Sequence, residues 1–254
     1  AMGRFGLMSR VLAPKFGGFL TFASLRASTA TAPGQPTLRE LLDVYRFESI
    51  TPQTRVFGLI GWPVEHSMSP LVHNAGFDAL SPEEDSTAMH EAGFDGVYLP
   101  LPVPPEWEHF KATLAALIDH PRLDFSGCSV TVPHKQHLVR FAREQIAGPC
   151  DGVTWTIDDL SLRCGAANTL TLRRDRGGRV LEAAVTNTDA AAAAACLRGA
   201  LGSLAGARVA IVGAGGVARA IAAGLVVEGG AVSVHNRTRG AADRLGGDLG
   251  RRDE

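Results

Sequence analysis

The sequence predicts an α/β protein, and three observations carry that prediction. Short apolar runs bounded by glycine, proline and polar residues alternate along the chain with segments of helical periodicity. The apolar run Ala207–Val212 is followed by Gly213, Gly215 and Ala218 in the spacing GxGxxG/A, then by a helical pattern and a second apolar run. The 254 residues, 45% hydrophobic and 20% charged, can fill one large domain or two ordinary ones.

The bulk numbers narrow the function classes. Net charge is −1, so no global field favours nucleic acid or an anionic membrane, and any affinity for anions must be local. The four cysteines (Cys128, Cys150, Cys164, Cys196) show no CxxC and no metal-type pairing with histidine. They read as reduced thiols of a cytoplasmic protein, with no metal expected. No apolar run is long enough to cross a membrane. Nothing in the sequence stands out as an interface, so oligomeric state stays open.

Residues 1–46 carry Arg4, Arg10, Lys15, Arg26 and Arg39 and no acid before Glu40, the composition of an organelle transit peptide. Against that reading, Phe19–Leu25 has the pattern of a strand and Ala32–Pro36 that of a loop. Thr37 is placed to cap a helix running to Tyr45. The segment therefore reads as folded, in the order helix, strand, loop, helix. A polar linker, 47–54, follows.

Val56–Ile60 reads as a parallel strand buried on both faces. Ser67 and Ser69 lie on the loop between this strand and a helix from Leu71, with Pro70 in its first turn. Their hydroxyls suit helix capping and carboxylate binding equally, and His66 and His73 suit structural roles equally well. Residues 81–92 read as a polar loop or short exposed helix. Val97–Val103, interrupted by two prolines, reads as a sheet-edge strand, and Trp107–Ile118 as an amphipathic helix.

Ser129–Val132 alternates as a short strand that Pro133 ends, leaving His134 and Lys135 on a turn. By spacing alone a lysine there is a solvated one. His137–Gln145 reads as a helix, and 147–161 shows no assignable pattern. Cys164–Leu172 reads as a turn and strand, and Asp175–Gly178 as a hairpin turn returning towards Val185–Ala190. Asp189 opens an alanine-rich helix, where an acid is favoured by the helix dipole and also suits a lysine partner.

The run from Ala207 reads as a buried strand, Gly213-Ala214-Gly215-Gly216 as a pyrophosphate-binding turn, and Ala231–Thr238 as a second strand. At its end, where NAD enzymes carry an acid for the ribose, stand Asn236, Arg237 and Thr238. A guanidinium there suits a 2′-phosphate, so NADP (as NADPH) is favoured over NAD.

Six segments in order resemble the shikimate dehydrogenase family: GWPVEHSMSPLVHN from Gly61, GCSVTVPHK from Gly127, GAANTL from Gly165, NTDA from Asn187, GAGGVARA from Gly213 and HNRT from His235. Ahead of them, MSR (Met8–Arg10), GGFLTFASL, ATAPGQP and TLRELL resemble the C-terminal end of type I 3-dehydroquinate dehydratase, a (β/α)8-barrel enzyme. The resemblance implies a barrel remnant over 1–46, a shikimate-dehydrogenase-like α/β substrate domain over 55–190, and an incomplete Rossmann NADP-binding domain over 191–254. It implies reduction of 3-dehydroshikimate in chorismate biosynthesis, with Lys135 and Asp189 as the catalytic pair and Ser67, Ser69, Thr131 and Asn168 on substrate.

In the dehydratase family, Arg10, Thr31 and Gln35 fall on substrate positions. That family's Schiff-base lysine and catalytic histidine lie upstream, so no dehydratase activity is expected here. The shikimate dehydrogenase family commonly reads GDNTDG where this chain has VTNTDA, which would put the Ala190 methyl close to substrate or nicotinamide. The family also continues beyond the second nucleotide-binding strand to a substrate-contacting glutamine, whereas this sequence ends at Glu254. A quinate/shikimate oxidoreductase, a non-catalytic remnant and a ligand sensor on the same fold are the alternatives.

Overall fold

The computed structural model describes residue 3 and residues 5–79, 94–148 and 152–250. The segment 81–92 lies outside the described residues. The chain groups into two compact units, Ala1–Ser129 with Arg174–Arg179, and Val130–Arg173 with Val180–Glu254.

The first unit opens with a short helix, α1 (Leu7–Val11), and single 3-10 turns at Pro14–Phe16 and Ala27–Thr29. The strand expected over Phe19–Leu25 does not form. A strand needs a neighbour for its backbone N–H and C=O groups. Here the ladder is a single bridge, Ser24 to Thr37. Phe19 is 95% exposed, and Phe22 and Leu25 are exposed with it. The helix expected after Thr37 does form, as a π-helical turn over Glu40–Val44. Thr37 caps it: its hydroxyl accepts from Glu40 N–H at 3.1 Å, and the Glu40 carboxylate accepts from Thr37 N–H at 2.7 Å. Lys15 ties this segment to the linker, its ammonium donating to the Pro52 and Thr54 carbonyls at 2.8 Å each.

β1 (Arg55–Gly61) pairs in parallel with β2 (Gly96–Pro102), Val56 opposite Val97 and Leu59 opposite Pro100. The strand order β2-β1-β3 puts proline-bearing β2 at the edge, as the sequence predicts. β1 is buried almost throughout, and Gly58 lets Leu101 of β2 close over it. Helix α2 (Ser69–Ala79) is bound to the edge strand by Asn74, whose buried amide donates to Tyr98 O at 2.8 Å and accepts from Tyr98 N–H at 2.7 Å. Helix α3 (Trp107–Asp119) buries Phe110, Leu114 and Leu117, one stripe at i, i+4, i+7.

β3 (Phe125–Val130) starts earlier and ends earlier than the alternation of Ser129–Val132 suggests. His134 N–H bonds Thr131 O at 2.9 Å, closing a turn that leaves Val132 61% exposed. The tip 174–179 belongs to this unit through Arg174, whose guanidinium donates to the carbonyls of Phe125, Ile118 and Gly178.

In the second unit the strands β4 (Thr154–Ile157), β5 (Thr169–Arg174) and β6 (Val180–Thr186) take the order β5-β6-β4, with Trp155 opposite Ala183 in the parallel β4–β6 pair. β4 and the helix after it, α5 (Asp159–Cys164), fill the stretch without a sequence assignment. Its signals are the Thr-Trp-Thr-Ile alternation and Asp158, which caps α5 by accepting from Ser161 N–H at 2.6 Å.

The remaining elements are α4 (Lys135–Ala147), α6 (Asp189–Leu201), β7 (Arg208–Val212), α7 (Gly216–Val227), β8 (Ala231–His235) and α8 (Arg239–Gly250). β7 and β8 pair in parallel as a two-stranded sheet. Val209, Ile211 and Val232 pack on the cluster of Ala194, Leu204 and Leu225. The expectation that the run from Ala207 forms a buried strand fails for β7, because Arg208, Ala210 and Val212 are exposed and Val209 and Ile211 are half-buried. No helix among the described residues is long and apolar enough to cross a membrane.

Candidate active site

Three chain segments of the second unit bring the polar cluster together. Lys135 is the first residue of α4, not a turn residue, and it is buried beside the fully buried His134. The solvated-lysine reading is therefore wrong: Leu138, Val139, Phe141 and Ala142 turn one face of α4 inward and carry Lys135 with them. Ala167 N–H bonds the Lys135 carbonyl at 2.9 Å, which draws the loop ahead of β5 across the start of α4. Asn168 follows on that loop; its N–H bonds Thr186 O at 3.1 Å and its carbonyl accepts from Val130 N–H at 2.7 Å. Asp189, first residue of α6, takes a backbone bond from its own N–H to the Asn187 side-chain oxygen at 3.0 Å.

These anchors converge. Lys135 Nζ stands 2.5 Å from Asp189 Oδ2. Asn168 Nδ2 donates to the other carboxylate oxygen, Asp189 Oδ1, at 2.9 Å, and to Thr188 Oγ1 at 2.9 Å. Asn168 Oδ1 accepts in turn from Thr188 N–H at 3.0 Å and from the Thr169 hydroxyl at 2.9 Å. Each oxygen of the carboxylate thus has one fixed donor, and the amide that fixes one of them is itself held on both sides. The lysine side chain is almost wholly shielded while the aspartate is partly open to water.

The structure brings together Lys135, Asp189 and Asn168 of the predicted residues. Thr131 lies four residues before Lys135 on the turn, half-buried. Ser67 and Ser69 belong to the first unit, where the Ser67 oxygen accepts from Ser69 N–H at 3.2 Å and its hydroxyl reaches Ser69 Oγ at 3.1 Å. Ser67 therefore does cap the α2 start.

Sequence reasoning passed over Thr188, Asn187 and Asp158. Asn187 Nδ2 donates to Ala166 O at 2.8 Å, and Asp158 accepts from Asn187 N–H at 3.1 Å. The signal for Asn187 and Thr188 was an unbroken polar run, Thr186 to Asp189, at a strand-to-helix junction. The Ala190 methyl, expected close to substrate or nicotinamide, is buried among apolar side chains. One step along α6 turns it into a buried cluster with Cys164, Ala166, Ala220 and Ala223. A Cβ on Gly224 would stand 3.0 Å from it, so the added methyl is matched by a missing one on α7.

The glycine turn has the form of a phosphate cradle. Gly213 adopts φ +116°, a conformation for which glycine is suited, and has open space where a Cβ would stand, as does Gly215. Ala214 lies between them, and α7 begins at Gly216 with no side chain capping its first turn. Its leading N–H groups are therefore available to an anion. Past β8, the Asn236 amide donates to Thr238 O at 2.9 Å, closing a turn on which Arg237 is exposed. The residues present fit a dinucleotide with a 2′-phosphate.

Two family models match the chain. One described as type I 3-dehydroquinase matches residues 1–52, and one described as the shikimate dehydrogenase substrate binding domain matches residues 59–170. The chain is 37% identical over 262 residues to the bifunctional 3-dehydroquinate dehydratase/shikimate dehydrogenase, chloroplastic, of Arabidopsis thaliana, covering 98% of this chain and 38% of that protein. It is 37% identical over 201 residues to a shikimate dehydrogenase (NADP(+)) of Paramagnetospirillum magneticum, covering 78% of this chain and 60% of that one. A crystal structure of a shikimate dehydrogenase in complex with NADP+ superposes with a TM-score of 0.60 at 30% identity, over 79% of this chain and 57% of the other. The chain thus spans 38% and 60% of the length of the two curated relatives. Residues 1–52 are thus similar to the type I 3-dehydroquinase family and residues 59–170 to the shikimate dehydrogenase substrate binding domain.

Proposed function

We propose that the chain carries the catalytic centre of an NADPH-dependent shikimate dehydrogenase that reduces 3-dehydroshikimate to shikimate. Residues 55–190 serve as the substrate-binding domain and 191–254 as the nucleotide-binding segment, in a soluble cytoplasmic protein whose Cys128, Cys164 and Cys196 are free thiols. The observation that carries the reading is the Lys135–Asp189 contact at 2.5 Å, with Asn168 fixing the opposite carboxylate oxygen.

Ketone reduction adds a hydride to carbon and a proton to oxygen. NADPH, when bound, supplies the hydride. The Lys135 ammonium has three N–H donors, and Asp189 takes one. Another is directed at the carbonyl oxygen, stabilises the negative charge that develops there, and passes its proton to the forming alkoxide. The neutral amine left behind regains a proton from water, which reaches the pair through the partly open Asp189. Asp189 holds the lysine in place and accepts a substrate hydroxyl; Asn168 and Thr131 bind ring hydroxyls. Ser67 and Ser69 take the substrate carboxylate. The bare first turn of α7 receives the pyrophosphate and Arg237 the 2′-phosphate.

The test is NADPH absorbance on mixing the purified chain with 3-dehydroshikimate, repeated with NADH and with 3-dehydroquinate. Oxidation of NADPH by 3-dehydroshikimate, at least about tenfold faster than of NADH, is expected from the guanidinium at the 2′-phosphate position. No oxidation with either ketone rejects the reading. Faster turnover of 3-dehydroquinate makes the chain a quinate-type oxidoreductase instead.

A further inference from the structure

The start of α7 lies against the side chain of Lys135. A Cβ built on Gly216 would stand 3.0 Å from Lys135 Cβ, 3.2 Å from its Cδ and 3.5 Å from its Cγ. Non-bonded carbons rest at about 3.5–4.0 Å, so the first two contacts are closed to any other residue without movement. Gly213 and Gly215 differ in this respect, with nothing within 4 Å of the same built atom. Their glycine character answers to backbone shape and ligand approach. At Gly216 the φ angle is not positive, so the backbone would accept alanine, and the three nearest atoms to the added methyl all belong to Lys135.

The lysine has little freedom to yield. Its Cα is held in the first turn of α4, with its carbonyl bonded to Ala167 N–H at 2.9 Å. Its far end is held on Asp189 at 2.5 Å. A stem fixed at both ends accommodates a new methyl by changing rotamer, and that moves Nζ. We propose that Gly216 is a positioning residue for Lys135: by lacking a side chain it lets the α7 N-terminus bear on the aliphatic stem and hold Nζ on Asp189. The same glycine thus serves the phosphate turn through its backbone and the catalytic ammonium through its missing Cβ. The catalytic meaning of this contact rests on the dehydrogenase reading, but the contact itself does not.

The test uses the whole chain without cofactor or substrate. The chain has three lysines, Lys15, Lys111 and Lys135. Limited acetylation with acetic anhydride, followed by peptide mass spectrometry, gives each one's rate, with exposed Lys111 as the internal reference. Gly216→Ala is expected to speed Lys135 acetylation by at least about fivefold relative to Lys111 as Nζ leaves its shielded seat. Gly215→Ala, which meets open space, leaves that ratio within about twofold, and Lys15, buried in the other unit, keeps its rate in both variants. An unchanged Lys135 ratio in Gly216→Ala overturns the proposal. So does an equal rise in Gly215→Ala, or a rise at Lys15 that marks general loosening. Because neither NADPH nor a ketone is present, a chain inactive as a dehydrogenase can still give the expected ratio.

Discussion

Asp189→Asn removes the charge opposite Lys135 and keeps the side-chain shape. The carboxylate now accepts one donor on each oxygen, Lys135 on Oδ2 and Asn168 on Oδ1. An amide can accept at only one of these positions and turns an N–H2 towards a donor at the other. The lysine side chain is 8% exposed and that of Asp189 22%, so the ammonium cannot regain its water without moving. Breaking a fully buried pair costs ~3–5 kcal/mol and an exposed one ~0–1 kcal/mol; this pair falls between, at about 2 kcal/mol. With an unfolding entropy of roughly 2.1 cal/mol/K per residue over 254 residues, that is a fall of about 4 °C in Tm. Thermal unfolding followed by circular dichroism measures it. The double variant Lys135→Met/Asp189→Leu, which replaces the pair with apolar groups, is expected to unfold above the single one. A Tm for Asp189→Asn within about 1 °C of the parent would refute the reasoning.

Three further outcomes are expected. Gly58→Ala places a Cβ 2.5 Å from Leu101 Cδ1 and 2.8 Å from the Leu99 carbonyl, and overpacking of this kind costs ~1–3 kcal/mol; a urea midpoint equal to the parent's would contradict it. Burial first, then His134 and Arg140, lower the His137 pKa from 6.5, so the unfolded chain takes up its proton at higher pH than the folded one. Stability is therefore retained above pH 6.5 and declines as pH falls from there through the folded value; His137→Gln flattens that slope in urea titrations at stepped pH, and an unaltered slope excludes the histidine. Arg237→Ala is expected to weaken NADPH binding about tenfold by fluorescence and leave NADH binding unchanged, whereas equal losses for both would remove the 2′-phosphate assignment.

Much of the fold is legible in the sequence because burial and periodicity coincide. β1 is apolar from Val56 onward and buried there apart from half-buried Phe57, and α3 shows its stripe in Phe110, Leu114 and Leu117. Where local pattern and tertiary pairing diverge, the sequence misleads. Ser129–Val132 alternates convincingly, yet the last residue of β3 is Val130. Phe19–Leu25 has strand composition without a neighbouring strand to hydrogen-bond it, so propensity alone leaves it unpaired. β4 went unseen because Thr154 and Thr156 are exposed, Trp155 and Ile157 only half-buried, and the strand sits in a polar stretch.

The site shows the same division. Lys135 and Asp189 are 54 residues apart, and no periodicity links two positions at that separation. The order of six motifs named them, while the geometry supplied what motifs do not contain: the burial of the lysine, the Asn168–Thr188 clasp, and the seat on Gly216. The turn from Ala190 towards Gly224 was likewise invisible, because which way a methyl points depends on a helix–helix contact.

The account stands on Lys135 as the proton donor to a reduced ketone. The most direct measurement is NADPH oxidation by 3-dehydroshikimate in the parent chain and in Lys135→Ala, with NADPH binding followed by fluorescence in the same preparations. The account predicts that the variant loses about 10²–10⁴-fold in turnover, the span of a positioned acid, and keeps its NADPH affinity within about twofold. Turnover in Lys135→Ala close to that of the parent would contradict it.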